Sequence, residues 1–290
     1  MSNYPITRIP NNPLQTGMSE ITHDVVFSKA GGQEIKMSLI LPKPTEGSDK
    51  RIPYPTIVFL QGSGWTAPCI YYQIPQMSHF AAKGYAVAMI THRNSRDGYP
   101  FPAFLVDAKC AVRYLRANAE LYGIDPDKIC FWGTSSGGNT ALLMGLTGDD
   151  PRYKSEEYAE YSDKVQAVID CFGPSDLPRL LKQRFFNPIP ADSTFAYLAG
   201  TTDLAKADKL TEMSPLLQIP DQADLPPFLI MQGDADPVVE YEQSELMFKA
   251  LIDKGYQAEM IAVEGAPHEG SFWSFQLLDL AADFIKRTIG

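Results

Sequence analysis

A chain of 290 residues, 44% of them hydrophobic and 21% charged, has the makeup of a globular protein, which excludes fibrous and disordered classes. At this length an α/β fold is expected to form one domain, residues 1–290. The formal charge of −10 argues against a nucleic-acid partner, because affinity for a phosphate backbone depends on Lys and Arg displacing counterions.

The opening MSNYPITRIPNNPLQTG, residues 1–17, is a Pro- and Asn-rich arm without the basic start or apolar middle of a signal peptide. Nor does any apolar run approach the roughly 20 residues that span a bilayer. No membrane partner is expected and the expected location is the cytoplasm, although a secreted mature form would read the same way. Cys69, Cys110, Cys130 and Cys171 are far apart and sit in or beside apolar segments, without a C-x-x-C pair. Buried free thiols are expected of them rather than disulfides or metal ligands.

After the arm, ITHDVVFSKAGGQEIKMSLILPKP reads as an antiparallel hairpin turning at Ala30-Gly31-Gly32. Then YPTIVFLQGSGW, GYAVAMITHR, DKICFWGTSS, KVQAVIDCFGPSD, PPFLIMQGDADPVV and QAEMIAVEGAPH supply short runs dense in Val, Ile, Phe and Met, which read as buried strands. Helix-period segments lie between them, at 73–83, 101–122, 138–147, 240–254 and 271–288. In the second, Phe104, Ala108, Ala111, Val112, Leu115 and Ala119 recur at spacings of three and four, while Lys109, Arg113, Arg116 and Glu120 fall largely on the other side. Alternation of this kind implies an α/β fold: a mostly parallel, doubly wound sheet behind an antiparallel N-terminal hairpin, with functional loops at the carboxyl ends of the strands. Residues 174–225 replace a short crossover with a longer, Pro-rich, partly helical stretch, expected to be a cap insertion over the sheet end.

In DKICFWGTSSGGNTALLMGL, the strand Ile129 to Trp132 meets a G-x-S-x-G run, Gly133 to Gly137, and then a helix from Asn139 to Leu146. That places Ser135 on a sharp strand-to-helix turn, exposing its hydroxyl at the top of the sheet. A serine hydroxyl is a weak nucleophile and needs a base, itself oriented by a carboxylate. Of the four histidines, His23, His79 and His92 read as structural, whereas His268 follows the last strand. Asp234 and Asp236 both follow the FLIMQG strand, and Asp236 is preferred, three residues past Gly233. The order Ser135, Asp236, His268 is that of α/β-hydrolases. An oxyanion would need N–H donors. Ser136 is expected to supply one through its backbone, and the loop Gln61-Gly62-Ser63-Gly64-Trp65 the others, through Ser63 or Gly64. A substrate pocket of Trp65, Tyr71, Tyr72 and the cap residues Phe185 or Phe195 is expected.

These motifs, with HRNSRDGYPFPAFLVDAKCAVRYLRANAELYGIDPDKICFWGTSSGGNTA and GAPHEGSFW, resemble the esterase/lipase group of the α/β-hydrolase superfamily. The resemblance is to the small acetyl and feruloyl esterases with an H-G-G-x-W loop, and it runs from about residue 55. It departs at Gln61, where the group has His, and at Ser63, where it has a second Gly. What it implies is hydrolysis of a small-molecule ester, of short acyl chain or aryl type, with esters of carbohydrates among the substrates the group takes, through Ser135, His268 and Asp236, with no metal or cofactor. A peptidase or amidase of the prolyl-oligopeptidase or kynurenine-formamidase type, and a non-catalytic binding protein of the same fold, stay open. Oligomeric state is left undetermined.

Overall fold

The computed structural model describes residues 6–48, 52–184 and 188–290. Among these residues eight strands form one sheet: β1 (Ser19–Ser28), β2 (Ile35–Pro42), β3 (Tyr54–Leu60), β4 (Ala86–Ile90), β5 (Ile124–Thr134), β6 (Ala167–Cys171), β7 (Phe228–Gly233) and β8 (Ala258–Val263). Their spatial order is β1-β2-β4-β3-β5-β6-β7-β8. The β1–β2 hairpin and the β2–β4 pair are antiparallel and all the others are parallel. At the expected hairpin turn, Gly31 takes φ 65°, which a side chain would resist.

Among the described residues nine helices pack around the sheet: α1 (Ile74–Ala82), α2 (Ala103–Ala117), α3 (Ala119–Tyr122), α4 (Ser136–Leu146), α5 (Leu177–Arg184), α6 (Thr194–Ala199), α7 (Asp208–Glu212), α8 (Glu242–Asp253) and α9 (Phe275–Ile289). The period of two along β3 shows how both faces are covered. Val58 and Leu60 join a core with residues of α2, α4 and α8, while Ile57 and Phe59 join another with α1 and α9. Strands buried on both faces have no polar side to show water, which is why they read as unbroken apolar runs.

Two expectations are corrected. The segment 101–122 is not one helix, because Asn118 adopts φ −114° and turns its amide back onto the Tyr114 carbonyl at 2.8 Å. Lys109 and Arg113, read as part of its polar side, are fully buried. Both point at the equally buried Asp163, at 2.7 Å (Lys109 Nζ) and 3.0 Å (Arg113 Nη1), since a charge survives burial only when paired. Burial, with the Arg113 charge beside it, pulls the Lys109 ammonium pKa down, and the Asp163 carboxylate opposes that.

Of the cysteines, Cys110, Cys130 and Cys171 are buried, whereas Cys69 is exposed on the loop after β3. All four are free thiols. Among the described residues no helix is long and apolar enough to cross a membrane.

Candidate active site

Three parallel strands, β5, β7 and β8, end at the same edge of the sheet and the loop after each contributes one side chain. The β5-to-α4 turn holds Ser135 at φ 53°, ψ −120°, a conformation costing a non-glycine residue about 1–3 kcal/mol. The surrounding glycines make it possible. A Cβ on Gly133 would lie 1.9 Å from the Gly137 carbonyl oxygen, and one on Gly137 would lie 2.1 Å from that of Leu60. The Ser135 N–H donates to the Cys171 carbonyl at 2.8 Å, and its own carbonyl accepts from Asn139 N–H. The strained residue is thus pinned between β6 and the helix it begins.

His268, in the loop after β8, places Nε2 3.0 Å from Ser135 Oγ and Nδ1 2.7 Å from Asp236 Oδ2. Asp236, three residues past the end of β7, is fully buried and His268 nearly so. Gln232 Nε2 also donates to Asp236 Oδ2, at 2.9 Å, and the backbone N–H groups of Val238 and Val239 donate to Oδ1 at 2.7 and 3.0 Å. A carboxylate only accepts, so the proton shared with His268 sits on Nδ1 and leaves Nε2 as an acceptor for the serine hydroxyl. The ring is steadied by Phe172, 4.5 Å away between centroids.

The other candidates lie apart from this chain of hydrogen bonds. Asp234 Oδ1 accepts from Gly265 N–H, tying the loop after β7 to the one after β8. His23 meets Ser38 and Tyr71, His79 meets Asp279, and His92 is buried with Nδ1 on the Arg93 carbonyl. Burial lowers the His92 pKa to about 4.

The loop after β3 reaches the turn through hydroxyls that the sequence did not single out. Gly62 N–H donates to Thr134 Oγ1 at 2.8 Å, and Ser63 N–H donates to Ser136 Oγ at 2.9 Å. Ser136, expected to matter through its backbone, therefore also anchors the loop with its side chain. Its own N–H, the first of α4, has no intrahelical acceptor. Gln61 fills the place where the resembling group has His, and its Oε1 accepts the Cys69 N–H at 2.9 Å, closing the loop on itself. Behind the turn the buried Asp170 accepts from Gly173 N–H, and burial holds its carboxyl pKa well above the usual range.

Over Ser135 and His268 lies a cleft of about 330 Å³, bordered also by Gln61 to Gly64, Tyr72 and Glu269. The expected aromatic pocket takes another form. Trp65 is buried against Phe104 and Phe195, so it supports the loop from behind rather than lining the cleft. Tyr71 packs on His23, Tyr72 alone of the expected aromatics borders the cleft, and Phe185 lies outside the described residues.

The model of the BD-FAE family matches residues 41–251. The chain belongs to that family. With it come the α/β-hydrolase fold and a relationship to the feruloyl and carbohydrate esterases. The BD-FAE chain superimposes on a truncated carbohydrate esterase from gut microbiota with a TM-score of 0.81 and 29% identity, covering 96% of this chain and 99% of that one. It also superimposes on the thermophilic esterase Est2 of Thermogutta terrifontis, solved with propionate bound, with a TM-score of 0.74 and 26% identity over 93% and 94% of the two chains. Esterase LipC of Mycobacterium tuberculosis is 28% identical over 78% of this chain and 54% of its own length. The chain spans about half the length of the curated esterases it matches.

Proposed function

We propose that the protein is a serine carboxylic ester hydrolase acting on small esters, with Ser135 as nucleophile, His268 as general base and acid, and Asp236 as the group that orients His268. The observation that carries this reading is the unbroken run Ser135 Oγ, His268 Nε2, His268 Nδ1, Asp236 Oδ2, with spacings of 3.0 and 2.7 Å, beneath an accessible cleft.

His268 Nε2 takes the hydroxyl proton as Ser135 Oγ attacks the ester carbonyl. The Ser136 N–H at the start of α4 and an N–H of the Gly62–Gly64 loop receive the oxyanion, each such donor being worth on the order of 3 kcal/mol. Ser63 N–H rests on Ser136 Oγ in the free protein, so its use requires a transfer from that hydroxyl to the oxyanion, whereas Gly64 N–H has no such partner among the described residues. His268 then protonates the departing alcohol, and water repeats the sequence on the acyl-enzyme. Every step uses protein groups and water.

Short acyl groups and carbohydrate or aryl alcohols are the proposed substrates. The small cleft supports the first, and the likeness to a carbohydrate esterase supports the second. Residues 174–225 are read as a cap built onto the one domain. Asn139 Nδ2 donates to the carbonyls of Pro174 and Met213, and Leu177, Leu198 and Leu210 share a core with α2 and α4.

The test compares wild type and Ser135→Ala on p-nitrophenyl acetate and on an aminoacyl arylamide. Ester turnover that disappears in the variant is the expected result. Faster turnover of the amide would move the reading to an amidase, and equal rates from both proteins would sink it.

A further inference from the structure

Glu269 borders the cleft directly beside His268, yet it takes no part in the hydrogen bonds that join Ser135, His268 and Asp236. It is the only carboxylate bordering the cleft among the described residues. Its backbone, at φ 67° and ψ −165°, occupies a region that is essentially glycine's, and the next residue, Gly270, takes φ 62° as well. Strain of this kind persists where the surroundings hold it, and it gathers at ligand clamps.

The Glu269 carbonyl accepts the Phe272 N–H at 3.2 Å, and its side chain is held by one hydrogen bond, from Trp273 Nε1–H to Oε2 at 2.8 Å. The indole, half-buried, packs on Phe172 and Phe272, and this bond satisfies its N–H. Among the described residues Oε1 accepts no hydrogen bond and the carboxylate has no salt bridge. The result is a fixed negative charge at the cleft with one oxygen held and the other open.

Its side of the site can be named. The loop of Gly62 to Gly64 lies where the carbonyl oxygen is received, whereas His268 protonates the departing oxygen. A residue adjoining His268 therefore faces the alcohol half of the ester. We infer that Glu269 is a specificity-determining residue for the leaving alcohol: its carboxylate accepts hydrogen bonds from hydroxyls of a neutral polyol next to the scissile ester and repels anionic alcohols. This rests on the ester-hydrolase reading above.

The experiment measures kcat/KM of wild type, Glu269→Gln and Glu269→Gly on a monoacetylated methyl xyloside, p-nitrophenyl acetate, 4-acetoxybenzoate and its neutral amide, with Ser135→Ala alongside. Hydrogen bonds to a charged acceptor make the expected loss in Glu269→Gly about tenfold or more on the xyloside ester, with p-nitrophenyl acetate within about threefold. In Glu269→Gln the ratio of 4-acetoxybenzoate to its amide should rise about fivefold at low ionic strength. Equal changes on all substrates would mean that Glu269 only supports Trp273 and the His268 loop, and would overturn the inference, as would no change on any. The glutamine variant keeps an acceptor for Trp273, so its charge ratio decides the matter even if the glycine variant does not fold. Turnover that depends on Ser135 but is indifferent to Glu269 defeats this inference alone, whereas activity that Ser135→Ala retains defeats the ester-hydrolase reading beneath it.

Discussion

Replacing Asp236 with Asn asks whether that carboxylate sets the proton position on His268. Two backbone donors, Val238 and Val239, converge on Oδ1, while His268 Nδ1 and Gln232 Nε2 converge on Oδ2. A carboxamide has one oxygen to serve both pairs. With its oxygen at the δ2 position, its NH2 group faces two backbone donors that cannot turn away. Stranding the N–H of the buried Val239 costs about 1–3 kcal/mol, and that of the exposed Val238 less. With its oxygen at the δ1 position both backbone bonds survive, and the NH2 group faces His268 and Gln232. Gln232 cannot rotate to accept, because its Oε1 already takes Ser244 Oγ–H at 2.8 Å and its Nε2 serves the Val239 carbonyl at 3.0 Å. His268 can adapt, by moving its proton from Nδ1 to Nε2, and in that form it donates to Ser135 instead of accepting. The second orientation strands one N–H of the buried Gln232 at a similar cost but keeps both backbone bonds, so it is favoured by about 1 kcal/mol and removes the base. The expected loss in kcat on p-nitrophenyl acetate is about 10⁴-fold, some 5 kcal/mol in the barrier, from the wrong tautomer together with the lost carboxylate charge that stabilises the imidazolium, with a thermal midpoint within a few degrees of wild type. Retention of more than about a tenth of wild-type kcat would refute the reasoning.

Gly62→Ala places a Cβ 2.6 Å from that of Ser135 and 2.8 Å from the Thr134 carbonyl oxygen. The loop must move off the turn, and a displacement near 1 Å is expected to lower kcat about 100-fold while circular dichroism stays unchanged; a rate within threefold of wild type would show that the loop's closeness is unimportant. The buried His92, with its pKa lowered to about 4 from 6.5, binds a proton in the unfolded chain before it does in the folded one. Stability is therefore full above pH 6.5 and falls as the pH drops from there toward 4. Between pH 7 and pH 5 His92 should account for about 2 kcal/mol of lost unfolding free energy. Urea titrations should show a drop smaller by that amount in His92→Asn, and equal drops would mean that His92 is protonated in the folded protein.

The sheet and its helices were legible because burial on both faces leaves little choice of residue. Strands such as β3 and β7 must be apolar throughout, and the helices between them must carry one apolar stripe. The positions of Ser135, Asp236 and His268 were legible for a related reason: a parallel sheet sends every strand end to the same edge, so a serine after β5, an aspartate after β7 and a histidine after β8 have to converge. The G-x-S-x-G turn, the strand-end positions and the chain order together carried that inference. Asp234 and Asp236 were harder to separate, since both follow the same strand, and only the pattern of donors around each distinguishes a loop tie from a histidine partner.

What was not legible depended on partners far away in sequence. Lys109 and Arg113 look like surface residues of an amphipathic helix until Asp163, some 50 residues later, arrives with Thr147 and Ser155 to satisfy them. Trp65 looks like a pocket wall until Phe195, 130 residues on, covers it. The same holds for Ser136, whose hydroxyl matters because Ser63, 73 residues before it, presents an N–H there. Polar side chains signal little by spacing, because one hydrogen bond serves equally well from any element that can deliver a donor. A carboxylate such as Glu269 is the extreme case. Its residue type is ordinary for a loop, and only its strained backbone and the open cleft beside His268 set it apart from a solvated glutamate.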